Sequence, residues 1–444
     1  MHRSRIRRRQ HAIVAAAWLG GCGFNSAGVG SEGTNTDFAS DPTTSESTAT
    51  ATTPTTTSQP SDSSASDPTD DPTTGDPTSG DASLPTTDAT EASADASDSD
   101  SGDVKGWWDI DWAKRRPLTL KLPAPDALDD VPILILLDSR RITYAELQSR
   151  GQDLRFIDDD DDTVLRHEIE HWDPNGTSAV WVLVPQFDPS DTIYMYWGND
   201  EAPSGNDPHG VWATGYAGTY HLDDDPSTDA PQIFDSSPSD RHATTQGGMV
   251  FDDLVTGFAT PALSFDGTDD VAVIGAIDTD EWTELTVSAW VRHTTVEDDR
   301  IVSKAFDTGG SDHVFFLGAH EQDVKVRVRT DGADGGTIEV RPADTLPADT
   351  WAYVAMVWSA ASAQVVVYVD GVEAGGAPLG GDTLADGASD VLIGNAVAGE
   401  DRYWDGIIDE VRIEHAARTP EWILVQNASM NDQLVTFEPE EQAP

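Results

Sequence analysis

The chain has 444 residues, 80 of them acidic against 26 Lys and Arg, for a formal net charge of −54. A field of that sign repels polyanions at long range, which excludes nucleic acid and anionic membrane surfaces as general partners. There is one cysteine, Cys22, which excludes an intrachain disulfide framework, so any folded part must be held by its core.

The first element is a basic stretch with Arg3, Arg5, Arg7, Arg8 and Arg9, followed by an apolar run from Ala12 to Leu19 that ends in Leu19-Gly20-Gly21-Cys22. Basic, apolar and small-residue regions in that order form a secretory signal. The run is too short to span a bilayer, which takes about 20 apolar residues. Leu-Gly-Gly-Cys resembles the lipobox of bacterial lipoproteins. That resemblance implies a signal over 1–22, export, lipidation of Cys22, and anchoring to the cell envelope at the outer membrane or cell surface. From 23 to 105 the chain is Ser, Thr, Asp, Pro, Ala and Gly, with loose repeats such as Asp41-Pro42-Thr43-Thr44 and Asp71-Pro72-Thr73-Thr74. Such a segment buries too little apolar surface to offset chain entropy and is expected to be a disordered linker. As a flexible coil of about 80 residues it would span roughly 50 Å root-mean-square.

About 340 residues follow, more than one core usually holds, so two domains are expected, over 106–205 and 206–440. Short runs of alternating apolar and polar residues, at 117–122, 193–197 and 324–328, are separated by turn signals. This period-two pattern predicts an all-β protein of two β-sandwich domains. Helices are predicted only at 143–148 and at 419–427, the latter opening with a cap, Pro and Glu. The run 351–358 is apolar on both faces, as in a strand covered on both sides. Asp370-Gly371 reads as a tight hairpin turn.

Several strings go beyond periodicity. In the first domain these are Trp107-Trp108 with Arg115-Arg116, Gly151-Gln152-Asp153-Leu154-Arg155-Phe156, Glu168-Ile169-Glu170-His171-Trp172, Val180-Trp181-Val182-Leu183-Val184-Pro185 and Ile193-Tyr194-Met195-Tyr196-Trp197-Gly198-Asn199. Together they resemble the domain of unknown function 2341, a β-rich family without assigned chemistry. In the second domain, Ala262-Leu263-Ser264-Phe265-Asp266-Gly267, Leu285-Thr286-Val287-Ser288-Ala289-Trp290-Val291, Ile301-Val302-Ser303-Lys304, Trp351-Ala352-Tyr353-Val354-Ala355, Val367-Tyr368-Val369-Asp370-Gly371 and Gly406-Ile407-Ile408-Asp409-Glu410-Val411-Arg412-Ile413 resemble laminin-G-like, concanavalin A-like jelly rolls. That resemblance implies a domain that binds glycans or proteins, often with calcium, on a fold that also hosts glycosidases. Fold alone does not decide between these.

Of the strings that could carry chemistry, His167-Glu168-Ile169-Glu170-His171 matches H-E-x-x-H formally. Zinc proteases need that motif on a helix with a third ligand beyond it; Pro174 and Gly176 stop any helix here, and the first-domain resemblance places the string on a strand. The two histidines are therefore expected to hold no zinc. Glu168 and Glu170 share a strand face and, with Asp173, loosely echo the carboxylates of a retaining glycosidase, but they stand outside the domain with the glucanase-like resemblance. Ser311-Asp312-His313 is consecutive and lacks a nucleophile elbow. Calcium takes carboxylate and carbonyl oxygens, and the resemblance puts a structural carboxylate at Asp409, with Asp223 and Asp266 as further candidate ligands. Finally, in the strand 323–330, Val324, Val326 and Val328 alternate with Lys325, Arg327 and Arg329. The valines are expected to face the core and the three cations to form an outer ligand-binding face for an acidic glycan, unless neighbouring acids pair with them.

The expectation is a non-catalytic, surface-anchored lipoprotein that binds glycans or envelope and extracellular proteins through its jelly roll. The alternatives are an extracellular carbohydrate-active enzyme and a structural spacer of the envelope.

Overall fold

The computed structural model describes residues 106–444, apart from 122, 124–126, 189, 295–296, 307–312, 386, 388 and 398–401. Cys22, the signal and the linker lie outside the described residues, as do Ser311 and Asp312. The described residues fall within one compact unit, 95–444. No helix among them is long and apolar enough to cross a membrane.

The first sandwich pairs two sheets. One runs in the order Val435–Phe437, Lys114–Leu120, Thr192–Trp197, Arg155–Ile157 and Val164–Leu165, with Glu441–Gln442 also on Lys114–Leu120; the other is Leu128–Leu137, Ser178–Phe187 and His167–His171. The second sandwich has two larger sheets. Its central sheet runs Leu254–Thr256, Pro261–Asp266, Asp405–Glu414, Glu284–His293, Ala352–Ser359, Gln364–Val369 and Val372–Pro378, and Tyr216–Tyr220 also pairs with Asp405–Glu414. The opposing sheet runs Thr337–Val340, Asp323–Asp331, His313–His320, Asp298–Ala305, Asp390–Ile393, Val271–Ala276 and Thr244–Gln246. Asp370 and Gly371 join Gln364–Val369 to Val372–Pro378 with φ of 49° and 80°, the pair of positive values that a tight two-residue hairpin turn requires.

The all-β reading therefore holds, and so does the double-faced strand. Along Ala352–Ser359, Val354, Met356 and Trp358 enter the core between the two sheets of the second sandwich, whereas Tyr353, Ala355 and Val357 join the core of the first. Side chains of a strand alternate between faces, so one strand serves two cores. The predicted C-terminal helix forms as Pro420–Met430, with Thr419 accepting from the Trp422 amide; the one predicted at 143–148 shrinks to a single 3-10 turn, Tyr144–Glu146.

The domain boundaries differ from those expected. Trp422, Ile423, Val425, Ala428 and Met430 of the C-terminal helix lie in the core that contains Leu118, Ile133 and Trp181. Val435–Phe437 and Glu441–Gln442 then pair with Lys114–Leu120. The last residues of the chain thus complete the first sandwich rather than close the second. Trp212 and Tyr216 belong to that same core, so the first sandwich also extends past 205. The physical reason is the apolar outer face of the central sheet, which carries Trp290, Tyr353 and Tyr368; exposing such a surface would cost about 1.5–3 kcal/mol per large side chain.

Candidate functional site

The outer face of the central sheet is not uniformly apolar. On Asp405–Glu414, Ile408, Val411 and Ile413 point into the second core. Pairing with Glu284–His293 slips between Ser288↔Arg412 and Trp290↔Asp409. At this bulge Glu410 takes a φ of 51°, which is sparsely populated outside glycine and costs of order 1–3 kcal/mol. The two-for-one count of a bulge sends both Asp409 and Glu410 to the side of the first sandwich, where Arg412 follows them. Two further irregularities meet this one. The register of His167–His171 shifts at Glu170, and His221 precedes Leu222, whose φ is 63°.

These residues form a buried cluster between the sandwiches. His221 Nδ1 lies 2.8 Å from Glu410 Oε1 and 3.6 Å from Glu170 Oε2, and its Nε2 lies 3.2 Å from Glu168 Oε2. Arg412 donates to Glu410 Oε2 at 2.8 Å and to the side-chain oxygen of Gln426, with its guanidinium 4.4 Å from the Trp181 ring and 4.8 Å from the Trp212 ring. Trp181 Nε1 donates to Glu170 Oε2 at 2.6 Å; Trp212 Nε1 and Ser236 Oγ donate to Glu168, the latter at 2.6 Å. Phe258 N donates to Asp409 Oδ2 at 2.9 Å. The backbone loop comes so near that a Cβ on Gly257 would stand 2.6 Å from that oxygen.

Charge in this place is held by neighbours rather than by water. Burial disfavours protonation of His221, but Glu410, Glu168 and Glu170 around it keep its pKa well above the ordinary histidine value. Burial, reinforced by Glu410, pushes Glu170 up to about 8 and raises Asp409 well above the carboxylate range. Glu410 moves the other way: His221 and Arg412 override its burial and hold it low. Burial pushes Asp223, at the edge of the cluster, up to about 7.

The H-E-x-x-H string accordingly lies on a strand and contributes its glutamates here. His167 is buried with both ring nitrogens unpartnered among the described residues, edge-on to Phe156 at 5.3 Å, and burial pushes its pKa down to about 4. His171 is half-buried and lines a recess of about 700 Å³ with Thr256 and Thr260.

The three expected calcium ligands do not share a place. Asp409 and Asp223 adjoin the cluster, but Asp266 pairs with Asp405, four residues, or about 13 Å, along the strand from Asp409. Asp266 is exposed and groups with Asp269 and Asp270, its Oδ1 already accepting from the Thr268 and Asp269 amides at 2.8 and 3.2 Å.

On Asp323–Asp331 the valines are fully buried and the cations lie on the opposite face, where Arg327 and Arg329 are half-buried and Lys325 is buried. Acids meet them there. Lys325 lies 3.0 Å from Asp298 and 3.5 Å from Glu339, and Arg327 lies 3.0 Å from Glu339. Arg341 pairs with Glu321 and Asp323, and Arg329 also has an interaction partner. Asp298 comes from the strand beyond His313–His320, which sequence periodicity could not place beside Lys325.

A second recess, of about 450 Å³, opens on the second sandwich beside Val271–Ala276 and Asp390–Ile393. Phe306 and Tyr403 line it together with Gln246, Asn395 and Asp390. Next to it Lys304 is fully buried, its Nζ donating to the carbonyls of Ile277, Gly387 and Ser389 at 2.7, 2.5 and 3.2 Å. An ammonium of the chain itself thus ties two loops together at this end of the sheet.

Sequence reading missed His221, Glu410, Arg412, Trp181 and Trp212 as site residues. One signal was present: Asp409-Glu410 and Arg412 interrupt a run that is otherwise core-forming, Ile407-Ile408 to Val411 and Ile413.

Residues 266–424 match the concanavalin A-like lectin/glucanases superfamily, and residues 150–237 match the domain of unknown function 2341. No curated protein matches the chain. Among solved structures, the chain is similar to the binding domain of Paraclostridial Mosquitocidal Protein 1, with 11% identity over 48% of this chain and 52% of that one and a TM-score of 0.38. It is also similar to domain 4 of AbnA, a GH43 extracellular arabinanase from Geobacillus stearothermophilus, in complex with arabinotriose, with 18% identity over 47% and 98% of the two chains and a TM-score of 0.36. A third is Ruminococcus gnavus IT-sialidase CBM40 bound to alpha2,3 sialyllactose, with 15% identity over 34% and 93% and a TM-score of 0.28. The chain spans about half the length of the first of these. The buried cluster draws side chains from both matched segments, Glu168, Glu170 and His221 from 150–237 and Asp409, Glu410 and Arg412 from 266–424.

Proposed function

We propose that this protein is an exported, lipid-anchored and non-catalytic binding protein whose jelly roll recognises a glycan, or an envelope or extracellular protein. The observation that carries the reading is the recess beside Val271–Ala276. It sets two aromatic rings, Phe306 and Tyr403, next to the amides of Gln246 and Asn395 and the carboxylate of Asp390. Sugars present apolar C–H faces and rows of hydroxyls, and a recess of this composition offers a partner for each. Its volume of about 450 Å³ falls in the range of pockets for small ligands, roughly 300–1,000 Å³. The carboxylate pair that suggests a glycosidase, Glu168 and Glu170, has side chains only 7% and 1% exposed. Enclosure of that kind favours binding over hydrolysis.

The test is a glycan array probed with the full chain. At least one glycan class is expected to bind, and Tyr403→Ala is expected to weaken it at least tenfold, about 1.4 kcal/mol, without moving the unfolding midpoint. Absence of binding across the array and to envelope extracts would support the spacer instead, and release of sugar from bound polysaccharide would overturn the non-catalytic reading. Cys22→Ser is expected to shift the protein from membranes to the soluble fraction; unchanged membrane association would remove the anchor from the proposal.

A further inference from the structure

We propose that His221, Glu170 and Glu410 bind one divalent transition-metal ion of the zinc class, which staples the two sandwiches together. One ligand atom from each lies within 4.8 Å of the others. His221 Nδ1 stands 2.8 Å from Glu410 Oε1 and 3.6 Å from Glu170 Oε2. Zinc sits about 2.0–2.2 Å from nitrogen and carboxylate ligands, so the edges of its tetrahedron are roughly 3.4 Å. The separations here bracket that value, and small side-chain shifts bring an ion into reach of all three.

The surroundings match what a metal site needs beyond its ligands. A metal-bound histidine usually gives its other ring N–H to a carboxylate, which fixes the tautomer and ring plane. His221 Nε2 has that partner in Glu168, itself oriented by Trp212 Nε1 and Ser236 Oγ. Arg412 takes the far oxygen of Glu410, Oε2, and leaves Oε1 toward the ion; Trp181 Nε1 orients Glu170.

One further feature of the geometry bears on this cluster. Among the described residues, Glu170 Oε1 and Asp409 Oδ1 are buried with no hydrogen-bond partner. The Glu170 side chain is 1% exposed and Asp409 is fully buried. The hydroxyl of Thr260 is the neighbouring donor that reaches toward Glu170, and it also lies 3.5 Å from Pro261 O. An unpartnered carboxylate oxygen in such a place costs far more than a paired one, and a cation answers it. Because burial raises the pKa of Glu170 and of Asp409, an ion bound here takes the place of protons on these acids. The donor set also selects the ion: an imidazole among carboxylates suits a borderline cation, whereas calcium prefers oxygen alone. Since Glu170 comes from the first sandwich and Glu410 from the central sheet of the second, the ion would bridge them.

The experiment uses the full chain, stripped by a chelator and reloaded with Zn²⁺, then passed over gel filtration. One equivalent of zinc per chain is expected to remain, the unfolding midpoint is expected to rise with zinc, and Ca²⁺ in hundredfold excess is expected not to displace it. Co²⁺ in place of zinc is expected to give visible ligand-field bands. Glu170→Gln is expected to weaken binding at least tenfold and Trp212→Phe, which removes a donor to Glu168, by about ten- to a hundredfold, while Asp266→Asn changes nothing. Less than a fifth of an equivalent retained by the wild type, or Co²⁺ that binds without such bands, overturns the site without recourse to any variant. Zinc affinity unchanged in Glu170→Gln overturns it as well.

Discussion

The two faces of the central sheet are built on opposite principles. Toward the interior of the second sandwich, Val287, Val354, Met356 and Trp358 are fully buried without a charge among them. Toward the first sandwich, Trp290 and Tyr353 share the face with Asp409, Glu410, Arg412 and Glu414, all nearly or wholly buried. An apolar face is non-directional and tolerates many partners. A face that buries charge tolerates only one that supplies its counter-charges and donors, here Glu168, Glu170, Trp181, Trp212 and Gln426. The inner face makes a jelly roll; the outer one decides what the jelly roll is joined to.

That contrast can be broken by substitution. Trp358→Ala, on the dry face, is expected to cost about 3–5 kcal/mol through lost burial and a residual cavity. Arg412→Ala, on the charged face, is expected to cost a similar amount, about 3–5 kcal/mol, because Glu410 is left buried without its partner. Arg412→Met separates charge from packing, since it keeps most of the contact with the Trp181 and Trp212 rings. If charge rules the junction, Met is nearly as damaging as Ala in denaturant titrations; a Met variant close to wild type would show that the two faces differ less than proposed.

A smaller effect lies in the pH dependence of the second sandwich. Burial alone would raise the pKa of Asp298, but Arg300 at 2.9 Å and Lys325 at 3.0 Å override it and hold the carboxyl well below the usual range. A folded-state pKa below the unfolded value of about 3.9 contributes stability that is present above that value and lost as pH falls through the folded one. The wild type should therefore lose more stability than Asp298→Asn between about pH 4 and pH 2. Asp270 and Asp299 act oppositely: burial raises each to about 6, so their protonation should stabilise the fold as pH drops from about 6 toward 4. Thermal melts of wild type and Asp298→Asn over this range check both signs, and parallel curves would reject the ion-pair account.

The smallest effect concerns the helix that covers the outer face. Thr419 caps Pro420–Met430 by accepting from the Trp422 amide, and Thr419→Ala is expected to cost about 1 kcal/mol. Because Trp422 and Val425 pack into the first core, amide exchange should quicken in Lys114–Leu120 as well as in the helix. Exchange confined to the helix would mean that the C-terminal segment is an appendage, not a part of the first sandwich.

Much of this was legible in the chain itself. Alternation identified the strands, the valines of Asp323–Asp331 and the two-faced burial of Ala352–Ser359, because side-chain direction follows from local backbone geometry with period two. Asp370-Gly371 and Thr419-Pro420 announced their turn and cap for equally local reasons. What alternation does not carry is which strands become neighbours. Asp298 reaches Lys325 across an intervening strand, the C-terminal residues return to Lys114–Leu120, and Glu170, His221 and Glu410 meet from two strands and a loop far apart in sequence. A bulge at Glu410 turns two consecutive acids to one face, against the period that sequence reading assumes. Composition and periodicity decided that this chain folds as sandwiches of strands; only tertiary packing, through long-range pairing and burial of charge, decided where a site is made.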